Sequence, residues 1–138
     1  MILTLAAAVA LLHVGGAISH PATDAAVVYF TIRNDGPADA LVGAETALAR
    51  SATIHKSSAT QPANAGGMPG MSGMSAEMML PVQRVDVPAN GTVAFAPGGY
   101  HIMLEGLKAP LEAGTSFTLR LHFTNAGWIA VQVRVESY

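Results

Sequence analysis

From Ser116 to Thr124 the chain alternates without a break: Phe117, Leu119, Leu121 and Phe123 fall on one side of an extended backbone, and Thr118, Arg120, His122 and Thr124 on the other. Successive side chains of a β-strand point to opposite faces, so a strict period of two marks a strand with one face in a core and the other in water. Blocks of similar character recur, rich in Val, Ile, Phe, Tyr and Thr: Ala25–Arg33, Leu41–Thr46, Thr53–Lys56, Leu80–Val87, Thr92–Phe95, His101–Glu105 and Ile129–Val135. Turn-forming residues separate them, at Asn34-Asp35-Gly36-Pro37, Pro88–Gly91, Pro97-Gly98-Gly99 and Asn125-Ala126-Gly127. In the first of these, Asn, Asp and Gly tolerate positive φ. No helical period interrupts the series. A chain of 138 residues buries one core and not two, so the expectation is a single all-β sandwich or barrel.

Composition narrows the function. The formal net charge is -2, with no run of Lys or Arg, which gives no electrostatic footprint for nucleic acid or an anionic membrane surface. Apolar residues make up 51% of the chain and charged ones 12%, yet no apolar run reaches the roughly 20 residues that span a bilayer; no stable membrane insertion is expected. Ile2–Leu12 matches the apolar region of a signal peptide but lacks the basic residues that precede one, as a start placed too late would explain. Residues 1–10 are accordingly read as a signal-peptide remnant and 11–138 as the domain, with a buried N-terminal strand or helix as the alternative. The acidic residues show no pairing suited to acid/base catalysis, and neither a nucleophile elbow nor a phosphate loop occurs. The expectation is a protein that is not an enzyme.

One segment does not suit a sandwich. Residues 57–76 are mostly Ser, Ala, Gly, Pro, Gln, Asn and Met, too poor in branched apolar side chains to build a strand, and are expected to be a long flexible loop. Loops of about 20 residues are uncommon in compact domains unless they serve a function. Met68, Met71 and Met74 recur every third residue here, with Met78 and Met79 just beyond. Methionine is a pliable gap-filler in cores, but Gly66, Gly67, Pro69, Gly70, Ser72 and Gly73 supply no core to fill. Met78 and Met79 begin a strand-like block, where neighbours face opposite ways, so one is expected toward the core and the other free to act as a ligand.

Downstream, His101 and Met103 stand two apart in a strand-like block, imidazole and thioether about 7 Å apart on one face that is expected to look outward, while Ile102 and Leu104 point to the core. A neutral, soft thioether joined to imidazole selects Cu(I) over zinc, magnesium, calcium or Cu(II). The chain has no cysteine, which removes disulfides, thiolate nucleophiles, zinc knuckles and iron-sulfur sites. It also suits an oxidising compartment, where paired thiols are lost to disulfides and methionine persists as a ligand.

Thr31-Ile32-Arg33-Asn34-Asp35-Gly36, Leu41-Val42-Gly43-Ala44, Ile54-His55, Met79 and Pro97–Leu104 together resemble the periplasmic copper chaperones of the PCuAC type, from about His13 to the C-terminus. The resemblance implies a cupredoxin-like Greek-key β-sandwich. It implies a Cu(I) site of His55, Met79, His101 and Met103; the residues themselves offer Met68, Met71, Met74 and Met78 as accessory ligands, which leaves open whether they compete for the same ion, recruit a second copper or guide copper to the site. It also implies delivery of copper in the periplasm to a thiol-bearing assembly factor or a cytochrome c oxidase subunit; the chain itself is expected to be a monomer. The family pattern is a His, about ten residues, a Met, about 21 residues, then His-x-Met. Here 21 residues separate Met79 from His101, but 23 separate His55 from Met79, and Lys56 stands where an acidic residue usually follows the first His. The surplus falls in the Met-rich segment, where added length raises closure entropy only slowly.

Two other readings stay open: a copper storage or resistance protein whose Met loop holds several ions, and a metal-free adhesion or assembly sandwich. His13, His20 and His122 are assigned surface or packing roles, and Trp128 and Tyr100 structural ones, with a metal-covering position for Tyr100 as the alternative.

Overall fold

The computed structural model describes residues 11–58 and 78–137, and these form ten β-strands and no helix. In chain order they are β1 (Leu12–Ser19), β2 (Ala25–Asn34), β3 (Asp39–Glu45), β4 (Ala49–Ser58), β5 (Met78–Pro81), β6 (Val85–Val87), β7 (Thr92–Phe95), β8 (Tyr100–Leu107), β9 (Ser116–Phe123) and β10 (Gly127–Val135). Hydrogen-bonded neighbours run β5-β4-β8-β2-β1-β10-β9-β3-β6, with β7 also on β2. The β1–β10 pair is parallel and the others are antiparallel.

The ribbon curls into two layers because two strands change partners along their length. On one edge, β2 pairs with β8 through Ala25–Val28 and then with β7 through Phe30–Arg33; β1 lies on its other edge. In turn, β1 leaves its β2 register between Gly15 and Ile18, and its last residues, Ile18 and Ser19, pair with Arg134 and Val135 of β10. Gly16 sits in that irregularity with φ +64, a conformation glycine enters without steric cost, and such a bulge bends the strand and raises its twist. The sequence reading missed β1, since Gly15-Gly16 resembles a break between strands.

The alternation read in β9 holds: Phe117, Leu119, Leu121 and Phe123 are buried. Ala26, Val28, Phe30 and Ile32 of β2, Ile102 and Leu104 of β8, and Val131, Val133 and Val135 of β10 complete much of the core, with Phe30 and Phe95 stacked at 4.5 Å. Burying a side chain such as Leu104 contributes about 1.5–3 kcal/mol. The Asn34 turn is built differently from the expectation. None of Asn34, Asp35 and Gly36 has positive φ; instead the buried Asn34 side chain donates from Nδ2 to the carbonyls of Pro37 (2.8 Å) and Pro88 (3.2 Å) and accepts from the Gly36 N–H (2.9 Å).

Two boundaries differ from the sequence reading. Leu80–Val87 is two strands, β5 and β6, at opposite ends of the strand order. Pro81 offers no N–H to extend a ladder, and Val82, whose N–H donates to the Ile54 carbonyl at 2.8 Å, begins the crossing to the other layer. Strand β4 continues through Ser57 and Ser58, the first two residues of the expected 57–76 loop. Residues 59–77, and the expected signal remnant 1–10, lie outside the described residues.

Candidate metal centre

Strand β8 runs between β4 and β2, so the face it turns away from Ile102 and Leu104 is flanked on both sides. Register puts His101 directly opposite His55 of β4, and Met103 opposite Thr53. Alternate residues share a face, so His55, His101, Thr53 and Met103 form a two-by-two patch of cross-strand neighbours. The two imidazole centroids are 5.7 Å apart, with ring planes only 14° from parallel. From β2, Tyr29 meets His101 edge-on, centroids 6.4 Å apart and planes at 70°. Thr53 Oγ1 lies 3.3 Å from His55 Nδ1.

The sequence reading expected this face of β8 to look outward. Instead His101 is 2% exposed, because ring-bearing strands on both sides cover it, while His55 and Met103 are half-buried. Ile102 and Leu104 lie in the core as expected.

The spacing suits a shared ion. A ring nitrogen lies about 1 Å from its centroid and binds a metal at about 2 Å, so two imidazoles on one ion hold their centroids within about 6 Å. The observed 5.7 Å falls within that limit, and because the rings stack only 14° from parallel, with their nitrogen lone pairs in the ring planes, sharing one ion requires one ring to rotate about its side-chain torsions. The donor chemistry is selective too. Among the described residues no three His, Cys, Asp or Glu side chains converge as a metal site, so what stands beside the imidazole pair is the thioether of Met103. Two imidazoles and a thioether would make an uncharged donor set without the carboxylate oxygens that Ca and Mg sites use.

The other predicted ligands stand as follows. Met79 lies on β5, opposite Ser57 of β4 and two residues along that strand from His55, and Met78 lies opposite Ser58. Because β5 and β8 flank β4, the backbones of Met79 and His101 are two strand spacings across and two residues along from each other, about 12 Å apart, in one layer of the fold. Met68, Met71 and Met74 lie outside the described residues. Tyr100 faces away from the site: it packs against Phe95 at 5.4 Å, with Lys56 over its ring. The tyrosine beside His101 is Tyr29, which the sequence reading passed over along with Thr53. A signal for Tyr29 existed in β2, where Val27 and Tyr29 occupy the face opposite Val28 and Phe30; a strand apolar on both faces needs cover on both.

The remaining histidines are engaged elsewhere. His13 pairs with Asp35 at 3.1 Å. His20 Nδ1 donates to the Glu136 carbonyl at 2.8 Å, and His122 stacks on Trp128 at 4.4 Å, with Arg120 also over the indole. Trp128 is 45% exposed and anchors this outer-face cluster rather than the core.

Comparison with known proteins adds to this geometry. The family model for the putative lipoprotein LpqE-like proteins matches residues 5–135. A curated relative, the putative lipoprotein Lxx21020 of Leifsonia xyli subsp. xyli (strain CTCB07), is 48% identical over 52 residues, 38% of this chain; the match spans 31% of that relative's length. Among solved structures, the copper-bound PCuAC domain from PmoF2 superposes with a TM-score of 0.71 at 21% identity, covering 95% of this chain and 97% of that one, a likeness of fold. The solution structure of Cu(I)-DR1885 from Deinococcus radiodurans gives a TM-score of 0.59 at 28% identity, covering 94% of this chain and 79% of that one. Apo-DR1885 gives 0.64 at 30% identity, covering 95% and 83%. The cupredoxin-like sandwich implied by the sequence resemblance is borne out.

Proposed function

This chain belongs to the LpqE-like family of putative lipoproteins and has the fold of the PCuAC domains, and from that premise we propose that it is an extracytoplasmic metallochaperone that binds Cu(I) and hands it on. The observation that carries the reading is the opposition of His55 and His101 at 5.7 Å with Met103 in the adjoining cross-strand position. Two further lines support it. DR1885, similar to this chain at 28% identity, is known in a Cu(I) form, and the proposed donor set is uncharged. The proposed ligands are His55, His101, Met103 and Met79, with Met68, Met71, Met74 and Met78 as accessory donors for a second ion.

Neutral donors hold a monovalent soft ion without the affinity of thiolates, so a partner that offers cysteine takes it by ligand exchange. The proposed acceptor is a thiol-bearing assembly factor or a copper-binding subunit of cytochrome c oxidase. The family's lipoprotein description supports a place outside the cytoplasm; among the described residues no helix is long and apolar enough to cross a membrane. The test is an anaerobic Cu(I) titration against a chromophoric chelator, followed by copper X-ray absorption. One tightly held ion with mixed sulfur and nitrogen ligands is expected, and no uptake, or an all-oxygen shell, refutes the reading.

A further inference from the structure

We propose that Thr53 is a positioning residue that sets which nitrogen of His55 carries the proton and therefore which nitrogen meets the metal. The inference rests on the copper reading above and deepens it. Thr53 and His55 are two residues apart on one face of β4, with Thr53 Oγ1 at 3.3 Å from His55 Nδ1. The same threonine is the cross-strand partner of Met103, so its hydroxyl stands at the fourth corner of the patch that holds the proposed ligands.

A neutral imidazole has one N–H and one lone pair, whereas a hydroxyl both donates and accepts. If the hydroxyl donated to Nδ1, the proton would sit on Nε2 and that nitrogen would be closed to a metal. If Nδ1–H donates to Oγ1, Nε2 keeps its lone pair. Metal-ligating histidines characteristically donate their other N–H to an oxygen, which fixes both tautomer and ring rotation. The second arrangement is thus the one that makes His55 a ligand, and Nε2 is its donor atom. The branched Cβ of threonine restricts χ1, which holds the hydroxyl where the ring needs it. Nothing in packing asks for a hydroxyl here, because Thr53 is exposed and valine is an equally good strand former.

That last point supplies the test. Thr53→Val keeps shape and strand propensity and removes only the hydroxyl; Thr53→Ser keeps the hydroxyl. Cu(I) affinity of the full chain is measured by chelator competition for wild type and both variants, and the His55 tautomer by nitrogen-detected NMR in the metal-free protein with the imidazoles neutral. Thr53→Val is expected to weaken Cu(I) binding about tenfold, the low end for loss of an outer partner, and Thr53→Ser to stay within about twofold of wild type. The Nδ1–H tautomer of His55 should dominate in wild type and Thr53→Ser and lose ground in Thr53→Val. Unchanged affinity in Thr53→Val, equal weakening in both variants, or a tautomer ratio indifferent to the hydroxyl overturns the assignment. The NMR measurement needs no copper, so a failed titration of wild type counts against the copper reading and leaves the hydrogen bond decided on its own result.

Discussion

Replacing Asn34 by alanine removes three hydrogen bonds at once. The side chain is 1% exposed, donates to the Pro37 and Pro88 carbonyls and accepts from the Gly36 N–H at 2.8, 3.2 and 2.9 Å. It thereby ties the turn after β2 to the segment between β6 and β7. A typical intramolecular hydrogen bond contributes about 0.5–1.5 kcal/mol net, and a buried partner left unmet costs more than a solvated one. The three together place the loss at about 3 kcal/mol. With a urea m-value of about 1.5 kcal/mol/M, the unfolding midpoint falls by about 2 M. Asn34→Asp sharpens the test, because it keeps the volume and the acceptor but turns an oxygen toward the two carbonyls that received the amide protons; it should destabilise at least as much as alanine. Cu(I) affinity of the folded variant should be unchanged, since Asn34 pairs with Leu12 at the far end of β2 from the Val27–Met103 pair. A loss under about 1 kcal/mol, or an aspartate variant as stable as wild type, would refute the claim that amide donation organises this turn.

Met103→Ala and His101→Ala should each weaken Cu(I) binding by at least about tenfold, since loss of even an outer partner has that effect, as read by chelator competition; wild-type affinity in either variant would remove that residue from the site. Leu104→Ala, at a fully buried position, should lower stability by about 2–5 kcal/mol in urea unfolding. Deleting residues 66–75 should leave about one bound ion if the chain is a carrier, and remove most of the copper capacity if the Met-rich segment is a store; equilibrium dialysis with metal analysis separates the two.

The strands that face a single core were the easiest to read from the amino acids. In β9 the alternation of Phe117, Leu119, Leu121 and Phe123 names the strand and its buried face together. Thr92–Phe95 was read to the residue as β7. What escaped reading depends on where partners lie. Strand β1 carries Gly15-Gly16, which locally signals a break and only in the folded sheet becomes the bulge that lets one strand serve two layers. The burial of His101 follows from neighbours on β4 and β2, remote in sequence, and a His-x-Met pair contains no hint of them. His55 has no local motif, and it was singled out through the family resemblance even though its spacing to Met79 departs from the family pattern; its position opposite His101 is a matter of register, which one strand cannot specify alone. The expected positive φ in the Asn34 turn invoked the right residue for the wrong property, because asparagine serves turns both by backbone tolerance and by side-chain hydrogen bonding.

Where β4 ends and β5 begins, Ser58 and Met78 are paired partners, so the two stalks emerge side by side, about 5 Å apart. A junction of that kind works as a socket. Whatever is spliced between the stalks leaves and re-enters the domain at the same spot, so added length costs little closure entropy. Replacing everything from 59 to 77 by a tight two-residue turn should therefore leave the β4–β8 pairing untouched, and a reporter module plugged in at the same place would sit next to the proposed copper ligands without rearranging them.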